Sequence, residues 1–196
     1  MKKLIDKRIF TVVSIVLGIG FAFGIVFLIC TSSFDKILIK TEISEYFSLI
    51  KDGKIITFST FLNSFKTNFI YIFLITMFSI VYFISPLILF LNFYKGMVLG
   101  FYSASIILVF KAKGILIVLT TLLSHHLIVI LTLIIYSSIM IRFSLNLLKC
   151  TREGENLNLK LFIKRVVILF LLALIVCIIS SILELFLSTF ILSLIM

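Results

Sequence analysis

Ile9-Phe-Thr-Val-Val-Ser-Ile-Val-Leu-Gly-Ile-Gly-Phe-Ala-Phe-Gly-Ile-Val-Phe-Leu-Ile-Cys30 carries no charged residue and no proline. A helix over this stretch, rising about 1.5 Å per residue, reaches across the roughly 30 Å hydrocarbon core of a bilayer. Further apolar stretches follow at residues 69–91, 92–110, 115–141 and 166–196, in a chain of 196 residues that is 62% hydrophobic. Soluble domains hold about 45–50% apolar residues, and five such stretches cannot all hide in a core this small. The runs are continuous, without the alternation a barrel requires. Backbone polar groups in lipid must be satisfied within their own segment, so each run reads as a helix. The expected fold is all-α: a polytopic membrane protein of about five transmembrane helices, forming one integral domain over residues 1–196. An external amphipathic loop covers 31–68 and a cytoplasmic loop covers 142–165. The second and third spans are expected to be parted only by Asn92-Phe93-Tyr94-Lys95, with Pro86 just upstream.

The flanks of these stretches set the orientation. Lys2, Lys3, Lys7 and Arg8 precede the first span, but its apolar run exceeds the 7–15 residues of a signal peptide. No small residue stands in Phe27-Leu28-Ile29 before Cys30, so it reads as an uncleaved helix rather than a lipoprotein leader. Segments on the N-terminal side carry eleven basic residues, counting Lys95 and the six from Arg142 to Arg165; the other side carries seven. Basic residues favour the cytoplasm, which places the N-terminus inside and the tail of a five-span chain outside. The net charge of +10 lies mostly beside the spans. There it anchors headgroups and sets topology rather than gripping nucleic acid. Cys30, Cys150 and Cys177 share no metal-ligand or disulfide spacing.

Within the external loop, Ile39, Ile43, Tyr46, Phe47 and Ile50 recur at helical spacing, with Lys40, Glu42, Glu45 and Lys51 between them. Asp52-Gly53 then signals a turn. Such a helix can rest on the membrane surface or dock an extracytoplasmic partner, and both can hold. Gly20-Phe-Ala-Phe-Gly24 and Gly96-Met-Val-Leu-Gly100 each place small residues four apart, with Gly18 close by. This spacing lets helix backbones approach closely, within the chain or between copies of it. His125 and His126, the two histidines of the chain, lie together in the fourth stretch. Adjacent helical residues project about 100° apart and make no chelate, so neutral histidines bonded to other helices are expected. Glu184, in the final stretch, is expected at the outer boundary, where an ionised carboxylate costs less than at the centre. HExxH, GxSxG and GxxxxGK[ST] are all missing. No catalytic residue, cofactor or metal site is therefore assigned, and the chain is not expected to be an enzyme.

Several of these segments resemble the stage II sporulation protein M family. The more specific are Pro86-Leu-Ile-Leu-Phe-Leu-Asn-Phe-Tyr-Lys95-Gly96-Met-Val-Leu-Gly100-Phe101, Phe65-Lys-Thr-Asn68 and Leu183-Glu184-Leu-Phe-Leu-Ser188. The likeness extends over most of the chain, including the basic N-terminus, the glycine-bearing first span and the long external loop. In the fourth span, broader members often carry Pro-His-Gly followed by Glu. Here the stretch reads Ser124-His125-His126-Leu127-Ile128-Val129, so only a histidine is shared and no role attached to that motif is carried over. The resemblance implies a multi-pass protein of the mother-cell membrane that takes part in engulfment during endospore formation. It further implies a non-enzymatic anchor for a peptidoglycan-degrading complex, with stage II sporulation proteins D and P as partners beside the lipid bilayer. Pro86, His125, His126 and Glu184 are the candidate structural or partner-contact residues. The alternative is a small permease subunit of a transporter, although a charged solute's path would carry more polar residues within the membrane than this chain does.

Overall fold

In the computed structural model the described residues are 6–51, 57–121, 126–153 and 159–195. Among them the chain is wholly helical, and five helices are long and apolar enough to cross a membrane. Helix α1 (Lys7–Cys30) opens with Asp6, whose carboxylate accepts the Arg8 N–H and satisfies one of the orphan donors of the first turn. It ends at Thr31, and Lys36 Nζ donates to the Ile29 carbonyl near that end. Ser32 then starts α2 (Ser33–Lys51), with its hydroxyl accepting the Asp35 N–H and donating to the Asp35 carboxylate.

α2 does not cross the membrane but packs against α4 and α7. Phe47 is buried there with Ile106, Ile117 and Val118, and Ile43 packs beside it. Tyr46, expected on the same stripe, is exposed. The Asp52-Gly53 turn signal lies outside the described residues.

The turn between the second and third spans is not at Asn92–Lys95. α3 (Thr57–Ile80) stops well before Leu91; a 3-10 turn follows at Tyr82–Ile84, and α4 (Leu87–Phe110) begins directly after Pro86. Proline lacks an N–H and disfavours helical backbone in the residue before it. The chain therefore breaks before Pro86, and Asn92 to Lys95 become interior helix. The crossing parts are Phe61–Ile80 and Leu87–Phe110, not 69–91 and 92–110.

The fourth stretch is divided as well. Lys111, at φ 52°, reverses the chain after α4, and α5 (Ala112–Thr121) folds back so that Gly114 lies against the Ile106 carbonyl. α6 (Leu127–Glu153) follows and makes the crossing. The polar residues Thr120, Thr121, Ser124, His125 and His126 mark this division in the sequence, but the apolar residues on both sides make 115–141 read as one stretch. α6 also continues helically through Arg142 to Glu153, into what was expected to be loop. The last stretch is one unbroken helix, α7 (Leu159–Ile195). Its 37 residues span roughly 55 Å at 1.5 Å each, more than a bilayer core requires.

The central cluster joins α3, α4, α6 and α7 through Ile72, Ile75, Ile88, Leu133, Met140, Val166 and Cys177. A second cluster binds Val13 and Leu17 of α1 to Ile134 of α6. Large apolar side chains such as Ile15, Ile19, Leu171 and Leu172 point outward. Such exposure suits a molecule whose solvent along the spans is lipid.

Candidate functional site

Among the described residues, the most extensive element pairing joins α1 to α4. A side chain begun at Gly20 would meet the Phe93 carbonyl, and one at Gly24 the Met97 carbonyl. Reciprocally, Gly96 faces the Leu17 carbonyl and Gly100 faces the Phe21 carbonyl. Contacts advance in the same direction along both helices, so the pair is parallel. Only glycine leaves room for backbones this close, where Cα–H groups rest against carbonyl oxygens. Phe23 against Phe93 (5.7 Å between centroids) and Phe27 against Phe101 (6.1 Å) close the flanks. Gly18 faces open space and takes no part.

The same α4 turns a polar edge towards the rest of the bundle. Buried Asn92 donates from Nδ2 to the Ile88 carbonyl (2.7 Å) and to Ser137 Oγ of α6 (2.9 Å). One turn on, Lys95 is 8% exposed. Its ammonium donates to Asn68 Oδ1 at 3.2 Å and lies 4.7 Å from the Tyr71 ring centroid. An amide oxygen and a π-face are the neutral groups suited to stabilising a cation away from water. Below them the Thr76 and Tyr136 hydroxyls share a 2.6 Å hydrogen bond, and Ser79 donates to Met140 Sδ at 3.4 Å. This seam holds α3, α4 and α6 in register.

Lys95 lies beside Gly96, which faces Leu17, so the ammonium belongs to the middle of the bilayer rather than its edge. Reading the sequence as a turn at Asn92–Lys95 missed this placement. The cue available was only that Asn92, Lys95 and Gly96 fall at i, i+3 and i+4, on one face of a helix. The structure joins Asn68 and Lys95, which stand in two separate segments of the family resemblance.

The other candidates do not converge. Pro86 stands at the start of α4, where its carbonyl accepts the Leu89 N–H. His126 lies at the beginning of α6 with its ring edge-on to Tyr102, 6.2 Å between centroids. His125 lies outside the described residues. Glu184 is carried on α7; its side chain is not among those described.

A family model described as Stage II sporulation protein M matches residues 12–189, nearly the whole chain. No curated protein matches, and no solved structure does.

Proposed function

The chain belongs to the stage II sporulation protein M family, and from that premise we propose that it is a membrane scaffold of the engulfment machinery. In this reading it anchors the wall-degrading stage II sporulation proteins D and P at the mother-cell membrane and performs no chemistry itself. The observation that carries the reading is α2. Phe47 pins this helix to Ile106, Ile117 and Val118, while Phe34, Ile37, Leu38 and Tyr46 remain exposed along it. A helix fixed to the bundle on one face, with apolar side chains on another, offers a partner contact area without an entropic penalty for ordering. The glycine seam supports the same reading, because it makes α1 and α4 a rigid pair beneath that platform.

The orientation proposed is N-terminus inside. Lys95 leaves the loop tally once it is placed within α4, as does Lys66 within the crossing part of α3, and the remaining basic residues still favour the N-terminal side, ten to six. α2 then faces outward, where cell-wall enzymes act. The seam's polar groups bond to one another, which supports a structural interior over a solute path.

The test is deletion of the gene in sporulating cells, with the partners tagged. Engulfment should stall and the partners disperse, while their wall-cleaving activity persists in a purified assay. Normal partner localisation in the deletion strain would defeat the scaffold. Replacing His125 and His126 together by Gln should leave substantial function. Complete loss, with protein level and partner binding intact, would point to chemistry at the pair.

A further inference from the structure

Between α3, the inner turns of α6 and the start of α7 lies a cavity of about 440 Å³, within the roughly 300–1,000 Å³ typical of small-ligand pockets. Its walls include Phe73, Thr76, Leu147, Ile163, Val167 and Phe170. The Thr76 hydroxyl is already engaged with Tyr136 and with the Ile72 carbonyl, so the lining presents almost pure hydrocarbon. From Ile163 to Phe170 the groove climbs seven residues along α7, about 10 Å at 1.5 Å per residue. That is most of the 15 Å or so of one leaflet's hydrocarbon. Ile163 and Val167 are about half exposed, so the groove opens sideways towards lipid.

Charge is concentrated at one end of this groove. Lys164 lies between Ile163 and Val167 on α7 and is exposed. Arg142, Lys149 and Arg152 are carried by α6, and Arg165 follows on α7. Of the described acids on this side, Asp6 caps α1 and Glu153 is held by Lys149 at 3.9 Å. An apolar groove one leaflet deep, with a cationic rim at headgroup level, matches a particular amphiphile: two acyl chains below a phosphate bearing net negative charge. Basic pockets between transmembrane helices are a known mode of binding such lipids.

We propose that this groove is a binding site for an anionic phospholipid, with an acyl chain against Phe73, Val167 and Phe170 and the phosphate at Lys164. The site lies at the opposite end of the bundle from α2 and goes beyond the scaffold reading. It would bias the protein towards membrane regions rich in anionic lipid.

The full chain, purified in detergent, is incubated with phosphatidylglycerol or phosphatidylcholine of identical acyl composition, and retained lipid is measured by native mass spectrometry. Wild type should retain phosphatidylglycerol several-fold better than phosphatidylcholine. Lys164→Gln should remove most of that preference, whereas Lys111→Gln with Lys113→Gln, beyond the far end of α4, should leave it intact. Val167→Phe, which fills the groove, should reduce retention of both lipids with an unchanged gel-filtration profile; a free phosphate site would not respond to it. Equal retention of the two lipids by wild type overturns the proposal. So does a preference insensitive to Lys164→Gln, or a groove found occupied by a protein segment that excludes lipid.

Discussion

At Gly100 the Phe21 carbonyl stands where a side chain would begin, whereas Gly18, on the same helix as Gly20, faces open space. Backbone cannot yield as a flexible side chain can, so a branched residue at Gly100 must part α1 from α4. Overpacking of ordinary cores costs about 1–3 kcal/mol, and this contact should exceed that range. Gly100→Ile is expected to remove most of the protein from the membrane fraction, while Gly18→Ile stays near wild-type level; quantitative blotting decides. The glycines could be found in the sequence because their signal is local, four residues apart, though spacing alone could not separate Gly18 from Gly20. Lys95 was not legible in the same way. A lysine beside an apolar run ordinarily marks a membrane edge, and its acceptor, Asn68, lies 27 positions away. The two partners also differ in what their removal leaves behind. Lys95→Met strands an amide, at about 1–3 kcal/mol for an unsatisfied buried group. Asn68→Leu strips an acceptor from a central ammonium, where charge costs about 2.5–3.5 kcal/mol. Thermal aggregation of the purified variants should therefore show Asn68→Leu to be the more damaging of the two.

Among the described residues, α2 has a single buried apolar anchor, Phe47. Phe47 packs on Phe110 at 4.8 Å between centroids and covers Ile106, Ile117 and Val118. Phe→Ala changes in cores cost about 3–5 kcal/mol, enough to release a surface helix from its bundle without unfolding the spans. Phe47→Ala should leave protein level within about twofold of wild type and abolish slow hydrogen exchange over α2 alone. Unchanged protection would show that α2 is held by other means. Helix type was legible across the whole chain because every span is a long apolar run. Helix ends were less so, since composition alone cannot weigh Pro86 against a neighbouring charge. The Lys111 reversal falls at the Lys111-Ala-Lys113-Gly114 break between the third and fourth stretches, while the polar residues Thr120, Thr121, Ser124, His125 and His126 at the separation of α5 from α6 were outweighed by the apolar residues on either side.

For the whole molecule, the three cysteines sample three depths: Cys30 exposed at the end of α1, Cys150 near the end of α6, and Cys177 buried in the central cluster. With the N-terminus inside, a membrane-impermeant maleimide applied to intact cells should label Cys30 and spare Cys150. Permeabilisation should admit label to Cys150, and Cys177 should stay unmodified until the protein is denatured. Labelling of Cys150 in intact cells would reverse the orientation. The glycine seam bears on biosynthesis as well. Gly20 and Gly100 lie about 80 residues apart in the chain, and α3 is made between them. At about 5–20 residues per second, α1 leaves the ribosome roughly 4–16 s before its partner face exists. Over that interval its glycine face can rest only on lipid or on the insertion machinery, and α3 must pass into the bilayer without capturing it. A protein with this seam therefore depends on insertion order, and a slowed ribosome between residues 31 and 96 lengthens the time α1 waits unpaired.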